Sequence, residues 1–241
     1  MKRAIFLIVP LFVFLPFISR ASACWLEVKG NGKVNKAVRI QVCYGYIDEF
    51  SVRHRDTGTE LTLIGDFKIS ILDEKGSSTN IPIHQQGDCW EGTFTPAENG
   101  SYRILGINEV HPVVDRSRTG GKNIRPIDYL CATYQVGENA QITPKPIQFL
   151  DIVAAFKNKM LIVKAFNNGV PAESGTTLRV FNPENWEKEL TVNNSGEAAF
   201  MPTQKGLYII REDWVDPAPG NYKGVAYTSI RYRCNYCLCV K

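Results

Sequence analysis

The chain has 241 residues, 28 basic and 24 acidic side chains, and a formal net charge of +4. Three of the basic residues lie within residues 1–23, which we expect to be removed, so the remaining chain is nearly neutral. A nearly neutral chain without a basic patch cannot neutralise phosphates, so we predict no nucleic-acid partner. The sequence also lacks a nucleophile elbow, a zinc-protease motif and a phosphate-binding loop, and we predict that the protein is not an enzyme.

Residues 1–23 have the pattern of an export signal. A basic start precedes an apolar run over residues 4–18, and Ala21-Ser22-Ala23 has the small-residue spacing that signal peptidases cut. The run is shorter than the ~20 residues needed to span a bilayer. We therefore predict a signal peptide that is cleaved before Cys24, and a periplasmic or secreted protein.

Cys24 leaves a second possibility open, because bacterial lipoprotein signals also end at a cysteine that receives the lipid. Such signals usually carry a larger aliphatic residue three positions earlier, where this chain has Ala21. Soluble export is the leading prediction, and membrane attachment is expected only through a lipidated Cys24.

The rest of the chain has the pattern of an all-β protein. Apolar and polar residues alternate with period two over 38–42 and 67–71, which is typical of half-buried strands. Residues 161–166, 177–181 and 225–232 are β-branched or aromatic runs of strand length. Clusters rich in Gly and Asn separate these segments and suit tight hairpin turns. Short strands at this spacing predict β-sandwiches.

A polar segment divides the strand pattern. Residues 138–146 contain two prolines and predict an extended linker, after which the strand pattern restarts. We predict an N-terminal β-sandwich domain over 24–137 and a C-terminal β-sandwich domain over 147–241, immunoglobulin-like or transthyretin-like, each of ordinary single-domain size. We also expect the C-terminal segment to fold alone.

The C-terminal segment carries Gly169-Val170-Pro171 before a strand, a turn at Gly196, and Gly206-Leu207-Tyr208 at the start of the next strand. With these features it resembles the transthyretin-like or carboxypeptidase-regulatory-like sandwich. Modules of this kind bind or space other groups, although a fold does not by itself imply a function.

A second resemblance covers the whole chain after residue 23, and its motifs are Trp25-Leu26-Glu27, Cys43-Tyr44-Gly45-Tyr46, Thr119-Gly120-Gly121-Lys122, Ala132-Thr133-Tyr134-Gln135-Val136-Gly137, the linker and the Gly-x-Pro segment. With these motifs the chain resembles a domain-of-unknown-function family described as the periplasmic component of cobalt and nickel uptake systems. Family members often carry Gly-His where this chain has Gly45-Tyr46, which removes a candidate histidine ligand. The resemblance implies an accessory protein that binds nickel or cobalt and works with an inner-membrane metal transporter.

Three cysteines at the C-terminus are the sharpest local feature. Cys234, Cys237 and Cys239 form a C-x-x-C-x-C motif, and thiolates bind Ni, Co, Zn or Cu. We predict a metal site there if the chain turns near Asn235. On a regular strand Cys234 would point away from the other two. The three histidines, His54, His84 and His111, offer no ligand pair by spacing.

The main alternative is a structural or adhesion-like β-sandwich module without a metal. In an oxidising compartment its cysteines would form disulfides, and Cys131 is a candidate partner for one of the terminal cysteines. The chain has 7 cysteines, an odd number, so at least one must remain outside intrachain disulfides. The pairing, the metal and the oligomeric state are open at this level.

Overall fold

The structure is a computed structural model that describes residues 22–137 and 145–241. Nearly all of the predicted signal peptide and most of the predicted linker lie outside these residues. In the first range a short α-helix, α1 (Thr59–Leu63), and two 3-10 turns (Ile64–Asp66 and Ser117–Thr119) interrupt the strands. The strands of this range are β1 (Ala23–Lys29), β2 (Val38–Ile47), β3 (Arg53–Arg55), β4 (Lys68–Leu72), β5 (Ser78–Ile81), β6 (His84–Gln86), β7 (Cys89–Phe94), β8 (Gly100–Asn108) and β9 (Ile124–Val136).

The second range contains strands only. Turns such as Asn168-Gly169 join them, and both residues have positive φ, which the sequence pattern of Gly and Asn predicted. The all-β class is therefore confirmed. The strands are β10 (Leu150–Lys157), β11 (Met160–Asn167), β12 (Val170–Pro171), β13 (Thr177–Phe181), β14 (Glu187–Thr191), β15 (Glu197–Phe200), β16 (Gly206–Asp216), β17 (Gly220–Tyr222), β18 (Val225–Tyr227) and β19 (Ser229–Val240).

One eight-stranded sheet forms the centre of the molecule. Its order is β14-β13-β16-β19-β9-β8-β4-β5, so strands from both segments of the chain lie in one sheet. The two segments meet where β19 pairs with β9, and this pairing is parallel, whereas the other neighbours in the sheet are antiparallel. We call this parallel β9–β19 pairing the seam.

Outer sheets cover opposite faces of the central sheet. One contains β1, β2, β7 and β6, with β3 beside β2, and the other contains β10, β11, β12 and β15. Alternation along β9 shows the arrangement, because Leu130 and Ala132 pack into the core under the first sheet, while Tyr129 and Cys131 pack into the core under the second. We call these the first core and the second core.

The two segments share their cores as well as their sheet. Phe181, Ile209 and Cys237 of the later segment belong to the first core. Leu105 and Ile127 of the earlier segment belong to the second core. The sandwich-type fold is confirmed, and separate folding of 24–137 and 147–241 stays a prediction. Among the described residues, no helix is long and apolar enough to span a membrane.

Candidate functional site

The C-terminal cysteines lie on one regular strand, β19. Cys234 packs into the second core and Cys237 into the first, so their side chains lie on opposite faces of the central sheet. Cys239 is exposed. The predicted turn near Asn235 is absent because β19 is hydrogen-bonded along its length to β16 and along much of it to β9, which holds it extended. The structure therefore does not bring the three predicted metal ligands together.

Cys234 instead lies beside Cys131. Their Sγ atoms are 3.6 Å apart, and a carboxylate oxygen of Asp151 lies within 4.8 Å of both sulfurs. All three residues are buried between the central sheet and the second outer sheet. Cys131 and Cys234 lie on the same face of the seam, displaced along it, since Cys131 pairs with Tyr236 and Cys234 with Tyr129. We call Cys131, Asp151 and Cys234 the cysteine–aspartate cluster.

An arginine and two backbone groups hold Asp151 in place. The Nη2 and Nη1 atoms of Arg103 donate to its two carboxylate oxygens at 2.6 and 3.2 Å, and both side chains are nearly inaccessible to solvent. The backbone N–H groups of Ile147 and Gln148 donate to Oδ2 at 2.7 and 3.1 Å. These hydrogen bonds make Asp151 the link between the start of β10 and the central sheet.

A second carboxyl group borders the cluster without a partner. Glu212 lies directly opposite Cys234 on β16 and is 2% exposed. Its Oε2 atom has no hydrogen-bond partner among the described residues. Burial, and then the charge of Asp151, raise the pKa of Glu212 to about 8. Burial, and then the hydrogen bond with Cys131, raise the pKa of the Cys234 thiol well above its usual value.

The remaining cysteines occupy three different surroundings. Cys43 and Cys89 are buried and lie directly opposite each other on β2 and β7. Cys24 is half-buried on β1, and its carbonyl oxygen accepts a hydrogen bond from Nδ2 of Asn235 at 2.7 Å. Leu26 donates its backbone N–H to the sulfur of Cys237 at 3.1 Å. None of these contacts could be inferred from spacing along the chain.

The histidines lie away from the cysteine–aspartate cluster. His54 contacts a carboxylate oxygen of Asp48 at 2.7 Å and stacks on Tyr46, the position where the resembled family often carries histidine. His84 lies on the short strand β6, and His111 contacts the carbonyl oxygen of Pro112 at 2.9 Å. The described histidines therefore add no nitrogen ligand to the cysteine pair.

The sequence suggested Cys131 as a candidate disulfide partner for a terminal cysteine, but it identified neither Cys234 as the neighbouring cysteine nor Asp151 as the third member of the cluster. Cys131 and Cys234 are 103 residues apart, and only the register of the parallel seam brings them together. Asp151 joins them from a third strand. The cysteine pairing could be suggested because the compartment favours disulfides and the number of thiols is odd, whereas no local pattern marks Asp151.

Comparison with known proteins identifies no family for this chain. No family model matches the chain, and no curated protein matches it. One solved structure, described as a biofilm associated protein, BSP domain, is 10% identical to this chain with a TM-score of 0.24. The match covers 90% of this chain and 29% of that one. A group B streptococcus pilus 2b backbone protein is 9% identical with a TM-score of 0.16 over 88% of this chain and 97% of that one. Likenesses this distant carry no functional argument, and the resemblance to metal-uptake components stays a prediction.

Proposed function

We propose that the protein is a non-enzymatic binding protein of the bacterial envelope that holds a transition-metal ion at Cys131, Cys234 and Asp151. The observation that carries the proposal is the 3.6 Å separation of two buried sulfurs beside a carboxylate. Bonds of about 2.3 Å to one tetrahedral ion would place two thiolate sulfurs about 3.8 Å apart. The pair is therefore close to the spacing that one ion requires.

The charges of the surrounding side chains suit a divalent ion. Two thiolates and Asp151 would carry three negative charges, which Arg103 and the ion would balance in a buried site. Two sulfurs and one oxygen are a donor set that Ni, Co, Zn and Cu accept. Glu212 lies opposite Cys234, and its Oε2 atom, which has no hydrogen-bond partner among the described residues, offers one further oxygen ligand at the edge of the site.

Arg103 has a positioning role in this proposal. It holds both oxygens of Asp151, and partners of this kind orient a ligand and tune its basicity. Because every member of the cluster is buried, we expect an ion to leave the folded protein slowly and the unfolded protein quickly. The family resemblance supplies the wider role, which is delivery to an inner-membrane metal transporter from the periplasm.

The test uses the purified, reduced protein dialysed separately against Ni, Co, Zn and Cu ions, with metal content measured by elemental analysis. We expect one ion per chain in the wild type and none in the double variant C131A/C234A. The matched control is C239A, because Cys239 is exposed on the same strand and should leave binding intact. Binding should weaken as pH falls, since protons compete with the ion for the sulfurs.

Spectroscopy keeps the proposal testable if the double variant does not fold. The Co-loaded wild type should show thiolate-to-cobalt charge-transfer absorption of two sulfurs. Metal content retained by a folded C131A/C234A protein would contradict the proposal. So would a reduced wild type that takes up none of the four ions.

A second candidate is a structural or adhesion-like module whose cysteines form disulfides. The observation that favours it is the direct opposition of Cys43 and Cys89 across β2 and β7, since opposed antiparallel residues have Cα separations of about 4.5–5.5 Å, which a disulfide can span. Peptide mapping of unreduced protein separates the candidates. A Cys131–Cys234 disulfide in the exported protein, with no metal uptake after reduction, would favour this module over the metal-binding protein.

A further inference from the structure

A cavity whose lining includes three arginines lies on the face of the central sheet opposite the cysteine–aspartate cluster, and we call it the arginine cavity. It has a volume of about 190 Å³ and lies where β1 and β3 of the first outer sheet meet β13 and β16 of the central sheet. Residues from both layers line it, so it exists only in the assembled sandwich. The residues on which the argument depends are Trp25, Arg53, Phe181, Asn185 and Arg211.

Arg211 is a buried cation without a direct ion-pair partner among the described residues. It is 4% exposed, and it forms no ion pair among the described residues. Its Nε atom donates to Oδ1 of Asn235 at 3.0 Å, and its guanidinium carbon lies 5.1 Å from the ring centre of Phe181. Burial, and then the charge of Arg233, lower the pKa of Arg211 to about 9. The surroundings therefore disfavour a positive charge that an arginine nevertheless keeps.

Arg53 reaches the same cavity from the outer sheet. Its Nε atom donates to Oδ1 of Asn185 at 2.9 Å, and its guanidinium carbon lies 5.3 Å from the ring centre of Trp25. Its Nη1 atom is buried and has no hydrogen-bond partner among the described residues. Burial lowers the pKa of Arg53 as well. Two layers therefore each contribute one unmatched guanidinium to one cavity.

The third arginine of the cavity, Arg179, has a direct carboxylate partner. Arg179 lies directly opposite Arg211 and donates from Nε and Nη2 to both carboxylate oxygens of Glu187, at 2.5 and 2.7 Å. Among the described residues, the fold therefore supplies a directly paired carboxylate for Arg179, whereas Glu187 and Asp213 act on Arg211, and Glu27 acts on Arg53, without forming an ion pair. A buried charge without a partner is costly, and an arriving anion would offset that cost.

We propose that the cavity binds a small organic carboxylate, with its carboxylate group between Arg53 and Arg211 and its apolar body against Trp25 and Phe181. The planar guanidinium fork matches a carboxylate in geometry and charge. The aromatic walls favour an anion with an apolar body over a fully hydrated inorganic one. The volume lies below the ~300–1,000 Å³ of drug-sized sites, which restricts the ligand to a small molecule.

A larger depression of about 370 Å³ beside the β4–β5 turn does not share these properties. Its charged groups already have partners, since Lys75 pairs with Glu98 at 2.6 Å and Glu74 accepts the backbone N–H of Ser101 at 2.6 Å. Unmatched buried charge, rather than volume, therefore distinguishes the arginine cavity.

The experiment is calorimetric titration of the purified protein with benzoate, benzamide, inorganic phosphate and sulfate. We expect one benzoate per chain and no measurable binding of the uncharged benzamide. Arg53→Met and Arg211→Met should each weaken benzoate binding at least tenfold, while Arg211→Lys should keep part of it. Arg39→Met is the control, because Arg39 lies on the same outer sheet, is half-exposed and pairs with Glu91.

Several results would overturn the proposal. Phosphate or sulfate binding more tightly than benzoate would reject the carboxylate assignment, and equal binding of benzamide and benzoate would reject charge recognition. Unchanged affinity in both folded Met variants, or no binding of any probe, would reject the site. The C131A/C234A variant should keep benzoate binding, so failure of the metal proposal leaves this one independent.

Discussion

At the residue scale, the face of the sheet toward which a cysteine side chain points, and its burial there, decide how reactive the thiol is. Cys234 and Cys237 are three positions apart on β19 and therefore enter different cores, while Cys239 lies on the same face as Cys237 but beyond the cover of the outer sheet. Burial raises the pKa of Cys234 and raises that of Cys237 to about 12. Thiolate character and exposure control reactivity, so the terminal cysteines should behave very differently.

We predict that Cys239 alone reacts quickly with a thiol reagent in the folded, reduced protein. The other cysteines are buried, apart from the half-buried Cys24, and react only after local or global opening. Labelling with an aromatic disulfide reagent, followed by peptide mass analysis, measures this. C239A should lose the fast phase, and a fast phase that persists in C239A would contradict the assigned burial.

Glu212 should make stability depend on pH. Its folded-state pKa of about 8 lies above the ordinary 4.5, so the folded protein binds the extra proton between these values. The stability that comes from this proton is present below about pH 4.5 and is lost as pH rises toward about pH 8. Glu212→Gln should remove this loss and exceed the wild type by a few kcal/mol at about pH 9, with little gain at about pH 5. Urea unfolding of both proteins at the two pH values tests this, and an equal difference at both would contradict it.

Removing one partner of the Arg103–Asp151 ion pair should be strongly destabilising, because both side chains are buried and the remaining one would be left without its partner. Arg103→Met leaves a buried carboxylate and should cost about 3–5 kcal/mol of unfolding free energy. The exposed Lys68–Glu109 pair is the control, and Lys68→Met should cost no more than about 1 kcal/mol. Denaturant unfolding measures both, and the double variant R103M/D151N should lose less than the sum of its single variants.

At the scale of elements, the seam determines how the two segments depend on each other. It pairs Ser229–Cys237 of β19 with Ile124–Ala132 of β9 and places the cysteine–aspartate cluster and part of both cores around it. Parallel strands so far apart along the chain must find each other after most local structure has formed. We therefore expect the seam to form late in folding.

We predict that a fragment of residues 147–241 folds cooperatively but self-associates. It retains most of the second core, yet β19 loses its partner β9 and becomes an unprotected edge. Sedimentation velocity of the fragment, alone and mixed with residues 24–137, tests this. We expect added residues 24–137 to reduce the self-association of the fragment. A monomeric 147–241 fragment as stable as the full chain would show that the seam contributes little.

At the scale of the whole molecule, the central sheet separates two sites. The cysteine–aspartate cluster lies on one face, and the arginine cavity lies on the other. Two adjacent residues of β19 serve them, since Cys234 belongs to the cluster and Asn235 accepts a hydrogen bond from Arg211 of the cavity. The pleat of one strand therefore supplies both sites. Changes confined to one face should leave ligand binding on the other face intact.

Export of the whole molecule is tested by intact mass. We predict loss of residues 1–23, which would make Cys24 the first residue of β1. Cys24 is half-buried and its carbonyl is held by Asn235, so its place in the sandwich suits a free N-terminus better than a lipid anchor. A mass that retains residues 1–23 would reject cleavage, and a diacylglycerol increment on Cys24 would make the protein membrane-anchored.

The sequence by itself determined the all-β class, because alternation with period two and turns of Asn and Gly are properties of neighbouring residues. Strand alternation also predicted that Cys234 would point away from Cys237 on a regular strand. Tertiary structure alone decided the seam, since its pairing register joins residues about a hundred positions apart and has no local signature. That register brings Cys131 to Cys234, and the stacking of layers brings Arg53 to Arg211, so both candidate sites depend on long-range packing.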